Sequence, residues 1–160
     1  MVGLSQRAGS LFPDMTMTRT LVICKPDAVE RGLCGEVMGR LERKGLRLVA
    51  AELRHIDVEW AKRHYEEHLG KPFFESLVSF ITRSPLLAMV VEGSGDTWEV
   101  VRLITGATNP AKAAPGTIRG DLALGPTENL IHASDGPESA QREIALWFPA
   151  LASREESGEY

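Results

Sequence analysis

The sequence is poor in cysteine, lacks long apolar runs and carries no excess of positive charge. Its two cysteines, Cys24 and Cys34, have no histidine or further cysteine at zinc-binding spacing, so we expect reduced thiols. No apolar run approaches the roughly 20 residues of a membrane span, which predicts a soluble protein without a membrane partner. The net charge of −4 excludes a global basic field for nucleic acid, so an anionic ligand must meet a local cluster of Lys and Arg.

Two common nucleotide-binding motifs are also absent. The chain contains neither a G-x-x-x-x-G-K-[ST] phosphate loop nor a G-x-G-x-x-G dinucleotide fingerprint. Nucleotide binding, if the protein has it, must therefore use another arrangement of residues.

The composition fits one compact domain with short extensions. The chain has 160 residues, of which 43% are hydrophobic and 25% are charged. Residues 1–18 lack the apolar segment of a signal peptide, so we interpret them as an N-terminal extension or a vector-derived leader, with Met15 or Met17 as alternative natural starts. We expect the domain at residues 19–149 and a polar tail at 150–160.

Hydrophobic periodicity predicts alternating strands and helices. A Gly-Ser-Gly turn is expected at 93–95, and the aperiodic stretch 107–117 is typical of a functional loop. This order suits a sheet covered by helices on one or both faces. Strands are predicted at 19–24, 46–56, 86–91 and just before residue 132, and helices at 31–44, 58–68, 74–81, 96–104 and 137–148.

His132 is the candidate reactive residue. It follows the apolar pair Leu130-Ile131 and precedes a helix-start signal that runs from Ser134 to Pro137. A histidine in this position lies near backbone N–H groups that favour anions. Because a lone histidine there is more often structural than catalytic, the assignment depends on the rest of the chain.

Three cations are candidates for an anion site. Lys25, Arg102 and Arg119 lie at element ends or beside loops, and they form a site only if the fold brings them together. Lys25 alone is equally well interpreted as a solvated surface lysine.

The helix predicted at 58–68 and the segment after it hold further polar and aromatic residues. We interpret His64 and His68 as part of a solvated face, since no ligand-like residues accompany them. Phe73 lies beside the apolar stripe of the following helix. It is either a further core residue or a platform on which a flat ligand stacks.

Five motifs resemble those of the nucleoside diphosphate kinase family in order and spacing. The resemblance extends from about residue 19 to residue 149. The motifs are Lys25-Pro26-Asp27, Tyr65 followed by Lys71-Pro72-Phe73-Phe74, Gly106-Ala107-Thr108-Asn109-Pro110, Pro115-Gly116-Thr117-Ile118-Arg119-Gly120-Asp121, and Asn129-Leu130-Ile131-His132-Ala133-Ser134-Asp135.

The resemblance implies a fold and an activity. The fold would be an α+β ferredoxin-like sandwich, in which helices cover an antiparallel four-stranded sheet. The activity would be ping-pong transfer of the γ-phosphoryl group from a nucleoside triphosphate, mainly ATP, to a nucleoside diphosphate, which maintains NTP and dNTP pools. Mg²⁺ would be the cofactor, held by the nucleotide phosphates without a direct protein ligand. The expected location is the cytoplasm.

The resemblance also implies residue roles. His132 would be the nucleophile and form a phosphohistidine through its δ nitrogen, since a neutral imidazole is nucleophilic at cellular pH. Ser134 and Glu143 would hold the imidazole, and Tyr65 would lie near the phosphates. Phe73 would stack on the base without reading its edges, so we expect broad base tolerance. The phosphates and sugar would be contacted by Lys25, Arg102, Thr108, Arg119 and Asn129, whereas His55, His64 and His68 would be structural.

Three positions depart from the family pattern. Ala133 stands where the family most often has glycine, and Gly136 stands where it has serine. We expect the alanine to be tolerated unless the backbone there needs a positive φ. Pro126 replaces an aliphatic residue and leaves the shape of its loop open.

Two other functional classes compete with the kinase. A non-enzymatic relative that only binds nucleotides or partners is disfavoured because all the polar site residues are present. An RNA-recognition module, which would share the ferredoxin-like sheet, is disfavoured by the negative charge and the lack of an aromatic-rich strand, so no obligatory nucleic-acid partner is expected. The family forms tetramers and hexamers, and we expect one of these homo-oligomers, with the loop around Pro110 and the tail after Phe148 at interfaces.

Overall fold

The structure, a computed structural model, describes residues 16–152 and contains one antiparallel sheet. The strand order is β2-β3-β1-β4, and β1 pairs with both β3 and β4. The strands are β1 (Met17–Cys24), β2 (Arg47–Arg54), β3 (Leu86–Ser94) and β4 (Ile131–Ala133).

Seven helices connect or cover these strands within the described range, and a short helical segment at 149–152 follows the last of them. Among the described residues, no helix has both the length and the apolar composition needed to span a bilayer. The seven helices are α1 (Pro26–Glu30), α2 (Cys34–Arg43), α3 (Val58–His64), α4 (Phe74–Thr82), α5 (Thr97–Thr105), α6 (Ile118–Leu122) and α7 (Pro137–Trp147). There are also 3₁₀ turns at Glu66–His68 and Pro110–Lys112.

Both faces of the sheet are buried under helices. Because successive side chains of a strand point to opposite faces, Val22 and Cys24 of β1 lie in a core formed with α2, α5 and α6. Leu21 and Ile23 lie in a second core formed with α3, α4 and α7. Burying one such aliphatic side chain contributes about 1.5–3 kcal/mol, so the two cores fix the central strand firmly. This arrangement is the α+β sandwich, with helices over an antiparallel four-stranded sheet, that the family resemblance implies.

The predicted helix at 31–44 is wrong at its start. The chain forms α1 directly after the first strand, turns at 31–33 and enters α2 at Cys34. Gly32 has φ +67°, a left-handed conformation that ends one helix before the next begins.

Other predicted boundaries also shift. The turn expected at 93–95 starts later, because β1 begins at Met17 and its first residues pair with Gly93 and Ser94. The helix expected at 58–68 breaks at Tyr65 into α3 and a 3₁₀ turn. The loop at 107–117 contains a 3₁₀ turn capped by the Asn109 side chain, and the sequence pattern does not predict the short helix α6 after it.

The termini are only partly described. Met17 and Thr18, which the sequence pattern places in an extension, belong to β1, and residues 149–152 are helical. The remainder of the expected extension, 1–15, and of the expected tail, 153–160, lies outside the described residues.

Candidate active site

His132 lies in the short edge strand β4, at its middle position. It pairs with Ile23 of β1, and its two strand neighbours, Ile131 and Ala133, point into the core on the opposite face. The alternation of a strand therefore directs the imidazole towards α7. The histidine is within the strand, not between the strand and the helix as the sequence suggests.

Two arginines cover the open edge of β4. The Arg119 guanidinium donates from Nη2 to the Ile131 carbonyl at 2.5 Å, and Arg102 donates from Nη1 to the Ala133 carbonyl at 3.2 Å. These carbonyls belong to the residues immediately before and after His132. Backbone groups on a sheet edge need partners, and here the partners are two cations that flank the imidazole.

A buried carboxylate holds the His132 ring. Glu143 lies on the buried side of α7, where its Oε1 is 2.5 Å from His132 Nε2 and its Oε2 accepts a 2.6 Å hydrogen bond from Ser134. Burial acts to raise the pKa of Glu143, but the hydrogen bonds from His132 and Ser134 outweigh it and lower the pKa to about 2. Glu143 is therefore an anion at neutral pH.

The charge of Glu143 determines the imidazole tautomer. An ionised carboxylate can only accept hydrogen bonds, so the proton of a neutral His132 must be on Nε2. The lone pair is then on Nδ1, and the ring as a whole is 24% exposed. The geometry provides a fixed imidazole with its nucleophilic nitrogen away from the carboxylate.

His64 is not the solvated residue that the sequence predicts, and that interpretation is wrong. It is buried, its ring centroid lies 4.8 Å from that of His132, and its Nδ1 accepts a hydrogen bond of 3.1 Å from Trp147 Nε1. Burial, with a smaller contribution from His132, lowers the pKa of His64 to about 3, so the ring is neutral. The missed signal is helical spacing: His64 follows the core residue Ala61 by three positions.

Lys25 and Asn129 form the next part of the site. Lys25 is buried and donates from Nζ to Asn129 Oδ1 at 2.9 Å, while the Asn129 amide donates to the carbonyls of Thr108 and Pro126. Burial and then the charge of Arg119 lower the pKa of Lys25 to about 8, although Asp27 partly opposes this. The ammonium lies in an environment that favours an added negative charge.

Arg119 is a second buried cation with neutral partners. Besides Ile131, it donates to the carbonyls of Asn129 and Gly106, each at 3.2 Å. Burial, followed by the charge of Arg102, lowers the pKa of Arg119 to about 10. Within the described part of the chain, neither Lys25 nor Arg119 forms an ion pair with a carboxylate. A phosphate would supply the missing negative charge.

Two glycines shape the loop that carries Arg119. Gly106 has φ +88°, and a Cβ there would lie 2.4 Å from Thr117 Oγ1. A Cβ at Gly120 would lie 2.0 Å from the Ala114 carbonyl oxygen. Only glycine permits these two close approaches, which fold the loop back and hold Arg119 beside the open edge of β4.

Asp27 is a supporting residue to which the sequence pattern assigns no role. Its Oδ2 accepts a 3.0 Å hydrogen bond from the Leu130 amide. Leu130 is the one non-glycine residue with positive φ, +71°, among residues 16–152, a conformation that costs on the order of 1–3 kcal/mol. The buried carboxylate holds this turn, which places Asn129 beside Lys25.

A chain of rings extends from the imidazole to the surface. The His64 ring meets Tyr65 at 4.8 Å, Tyr65 meets His68 at 6.1 Å, and His68 meets Phe73 at 5.5 Å between centroids. Tyr65 is buried, and this burial raises the pKa of its phenol. Phe73 is 46% exposed, so one side of the ring is open to a ligand. Thr108 is exposed.

The departures from the family pattern fit the backbone. Ala133 is a strand residue and is not among the residues with positive φ, so the condition for tolerating alanine is met. Gly136 has φ −176°, which any residue adopts, and a Cβ there would meet only Glu138 Oε2, at 3.8 Å. Pro126 is exposed, and its carbonyl binds Asn129.

One set of possible metal ligands occurs in the described residues. His64, His132 and Glu143 bring ligand atoms within 4.8 Å of one another. Hydrogen bonds already engage His132 Nε2, both carboxylate oxygens of Glu143 and His64 Nδ1. Mg²⁺ prefers oxygen ligands in an octahedral arrangement, and two imidazoles with one engaged carboxylate do not supply it.

Comparisons with known proteins point to one family. A family model described as nucleoside diphosphate kinase matches residues 18–152. A nucleoside diphosphate kinase from Thermobifida fusca (strain YX) is 60% identical over 136 residues, which cover 85% of this chain and 100% of that protein.

Solved structures agree. A nucleoside diphosphate kinase family protein from Babesia bovis has a TM-score of 0.79 and 42% identity, covering 84% of this chain and 90% of that one. A halophilic nucleoside diphosphate kinase from Halobacterium salinarum, solved in complex with CDP, has a TM-score of 0.78 and 51% identity, covering 83% of this chain and 88% of that one.

Proposed function

The chain belongs to the nucleoside diphosphate kinase family, and on this basis we propose that His132 carries the phosphoryl group between the two nucleotides. The activity is transfer of the γ-phosphoryl group from a nucleoside triphosphate to a nucleoside diphosphate. Each step of this reaction has a candidate residue in the chain.

The hydrogen bond between Glu143 and His132 Nε2 carries the assignment of the nucleophile. Because Nε2 holds the proton, the Nδ1 lone pair attacks the γ phosphorus, an N–P bond forms, and the P–O bond to the diphosphate breaks. In the second half-reaction, a terminal oxygen of the acceptor diphosphate attacks the same phosphorus and releases His132. Glu143 and Ser134 hold the ring in line through both steps.

The buried cations Lys25 and Arg119, with Arg102, are the proposed phosphate ligands. Phosphoryl transfer depends mainly on positioning and on charge neutralisation. One cation about 4 Å from a phosphate charge gains ~4 kcal/mol at an effective dielectric of 20, before desolvation is subtracted. Since burial has already removed much of the hydration of Lys25 and Arg119, less of that gain is lost on binding.

The exposed ring of Phe73 is the proposed base platform, with Tyr65 near the phosphates and Thr108 and Asn129 at the phosphates and sugar. A nucleoside diphosphate, CDP, is bound in the Halobacterium salinarum relative. Stacking uses the face that all bases share, so we expect acceptance of different bases and of ribose and deoxyribose.

Nucleotide kinases of this kind use a divalent metal, and we assign Mg²⁺ to the nucleotide phosphates. The carboxylates nearest the imidazole and Lys25 are engaged, Glu143 with His132 and Ser134, and Asp27 with the Leu130 amide. When bound, Mg²⁺ would neutralise charge on the phosphate oxygens and complement the three cations of the chain.

Assembly, location and domain limits remain predictions. We propose a tetramer or hexamer, for which exposed apolar side chains such as Leu53 and Leu103 provide contact area. Light scattering on the full chain would determine the oligomeric state. A cytoplasmic location and a domain at residues 19–149 are likewise proposed.

Initial-rate kinetics test the proposed nucleophile. With donor and acceptor concentrations varied, we expect parallel double-reciprocal lines, because the first product leaves before the acceptor binds. His132→Gln should abolish turnover, whereas His55→Gln, at an exposed histidine bonded to the Thr82 carbonyl, should retain it. Intersecting lines, or turnover by His132→Gln, would exclude a carrier role for His132 while leaving the family assignment intact.

A further inference from the structure

Arg119 lies on a helix that is too short to hold its own position. The helix α6 has five residues, whereas helices below about 12–15 residues are marginal on their own in water. Its first residue, Ile118, is buried in the core that α2 also lines, and Arg31 donates to the carbonyl of its last residue, Leu122, at 2.8 Å. The direction of the Arg119 side chain then depends on what holds the start of the helix.

A network of charged hydrogen bonds joins the start of α6 to α2. Arg40 of α2 donates from Nη1 to Asp121 Oδ2 at 2.9 Å and to the Gly116 carbonyl at 3.3 Å. The other carboxylate oxygen of Asp121 accepts a 2.9 Å hydrogen bond from the Gly116 amide. Arg40 and Asp121 thus hold both backbone polar groups of Gly116, the residue with φ +93° that leads into α6.

Glu36 fixes the Arg40 side chain in this network. Its Oε1 accepts a 2.9 Å hydrogen bond from Arg40 Nε, one helical turn away on α2. The hydrogen bond from the Gly116 amide, followed by that from Arg40, lowers the pKa of Asp121, so its carboxylate is charged at neutral pH. A partly exposed ion pair contributes little to global stability. The main consequence of the network is therefore the position of α6.

Asp121 and Arg119 lie on different sides of α6. Residues two positions apart in a helix are separated by about 200° around its axis. Asp121 faces α2, whereas Arg119 faces β4, where its guanidinium donates to the Ile131 carbonyl. A rotation of α6 that breaks its contact with α2 would move Arg119 relative to the strand that carries His132.

We propose that Arg40 and Asp121 are positioning residues, which hold Arg119 in the place where it binds a nucleotide phosphate. The inference rests on the phosphate role proposed above for Arg119. Without the network, the guanidinium occupies positions from which the phosphate is out of reach for part of the time. Affinity for a nucleoside diphosphate then falls while the chain stays folded.

Calorimetric titration with ADP and Mg²⁺ tests the network. Arg40→Gln and Asp121→Asn should each bind ADP roughly tenfold more weakly than the parent, and Arg40→Lys, which keeps the charge, should lose less. Arg43→Gln is the matched control on α2, because the Arg43 side chain is 69% exposed and lies 4.0 Å from Glu36. Thermal unfolding of each variant establishes that a folded chain is titrated. Parent-like ADP affinity in Arg40→Gln and Asp121→Asn would overturn the proposal.

A double-mutant cycle with Arg119 separates positioning from a general structural effect. Arg119→Met should bind ADP more weakly than the parent, and adding Arg40→Gln should cause no further loss, because no guanidinium is left to position. A further tenfold loss in the double variant would overturn the inference and leave the phosphate role of Arg119 intact. Parent-like ADP affinity in Arg119→Met would refute that role, and this inference with it.

Nuclear magnetic resonance of arginine-labelled protein reports on Arg119 without replacing it. Its Nε–H donates to the Asn129 carbonyl at 3.2 Å, so the chemical shift of this group depends on where the guanidinium lies. We expect the Arg119 signal to shift in Arg40→Gln and to stay in place in Arg43→Gln. An Arg119 signal that is the same in Arg40→Gln as in the parent would contradict the positioning role.

Discussion

His132 and Glu143 are separated by 2.5 Å between Nε2 and Oε1, although one belongs to the edge strand and the other to the final helix. The pairing depends on both cores, because Ile131 and Ala133 anchor β4 in the first core, and Ile144 and Trp147 anchor α7 in the second. A carboxylate so placed fixes the tautomer of the imidazole and its orientation together.

Replacing Glu143 by Gln should therefore reduce phosphoryl transfer. The amide removes the anion that holds the Nε2 proton, and we expect a loss on the order of ten- to 100-fold, as for removal of the carboxylate partner of a metal-bound histidine. We expect kcat to fall while KM for nucleotides changes little. A steady-state assay measures both. Glu138→Gln, at an exposed position on the same helix, is the matched control. An unchanged kcat in Glu143→Gln would remove the orienting role.

The charge of Lys25 predicts an alkaline limb in the pH profile. Its pKa is lowered to about 8, so the ammonium is present below that pH and is lost above it. The value of kcat/KM should fall as pH rises through about 8 in the free enzyme. Lys25→Met should have a lower kcat/KM and no such limb, while Lys44→Met, at an exposed lysine, should retain it. The same limb in Lys25→Met would assign it to another group.

Phe73→Ala should weaken binding of all nucleotides. Stacking on an aromatic ring contributes about 1–3 kcal/mol per base, equivalent to roughly a fivefold to 150-fold rise in KM. Phe73→Tyr should bind as the parent does, and Leu69→Ala, another exposed apolar residue nearby in sequence, should have no effect. A rise confined to one base would indicate edge recognition instead of stacking.

Gly136→Ser should be neutral for activity and slightly stabilising. Gly136 occupies the N-cap of α7 in an extended conformation with room for a Cβ. Serine is a better N-cap than glycine by a few tenths of a kcal/mol. Urea unfolding should show a small rise in midpoint, and Gly106→Ser, at φ +88° against Thr117, should show a clear fall. A fall for Gly136→Ser would mean that this position requires glycine.

Strand and helix identity is predictable where apolar residues recur regularly. The β1 strand contains the apolar run 21–24, the β3 strand contains the apolar run 86–91, and α7 repeats Ala140, Ile144 and Trp147 at helical spacing. The sequence does not predict the turn at Gly32, because a glycine inside a helical pattern is read as a weak helix residue. In the structure its left-handed conformation ends α1.

The site is less predictable than the fold. Lys25, Arg102 and Arg119 are far apart in the sequence, and no local pattern links them to one another. Only the resemblance to a family joins them to His132. His64 is misassigned because sequence alone does not show that Trp147 supplies its hydrogen bond across the second core. Asp27 acts through the Leu130 backbone, and a contact between residues so distant in the chain leaves no local signal.

The identity of the phosphoryl carrier is tested most directly by intact mass. The protein is incubated with ATP and Mg²⁺, its mass is measured, and GDP is then added. We predict one acid-labile phosphoryl group that is absent from His132→Ala and that GDP removes as GTP. A protein that binds ATP without gaining mass, or a His132→Ala variant that still gains the group, would contradict the assignment of His132 as the carrier.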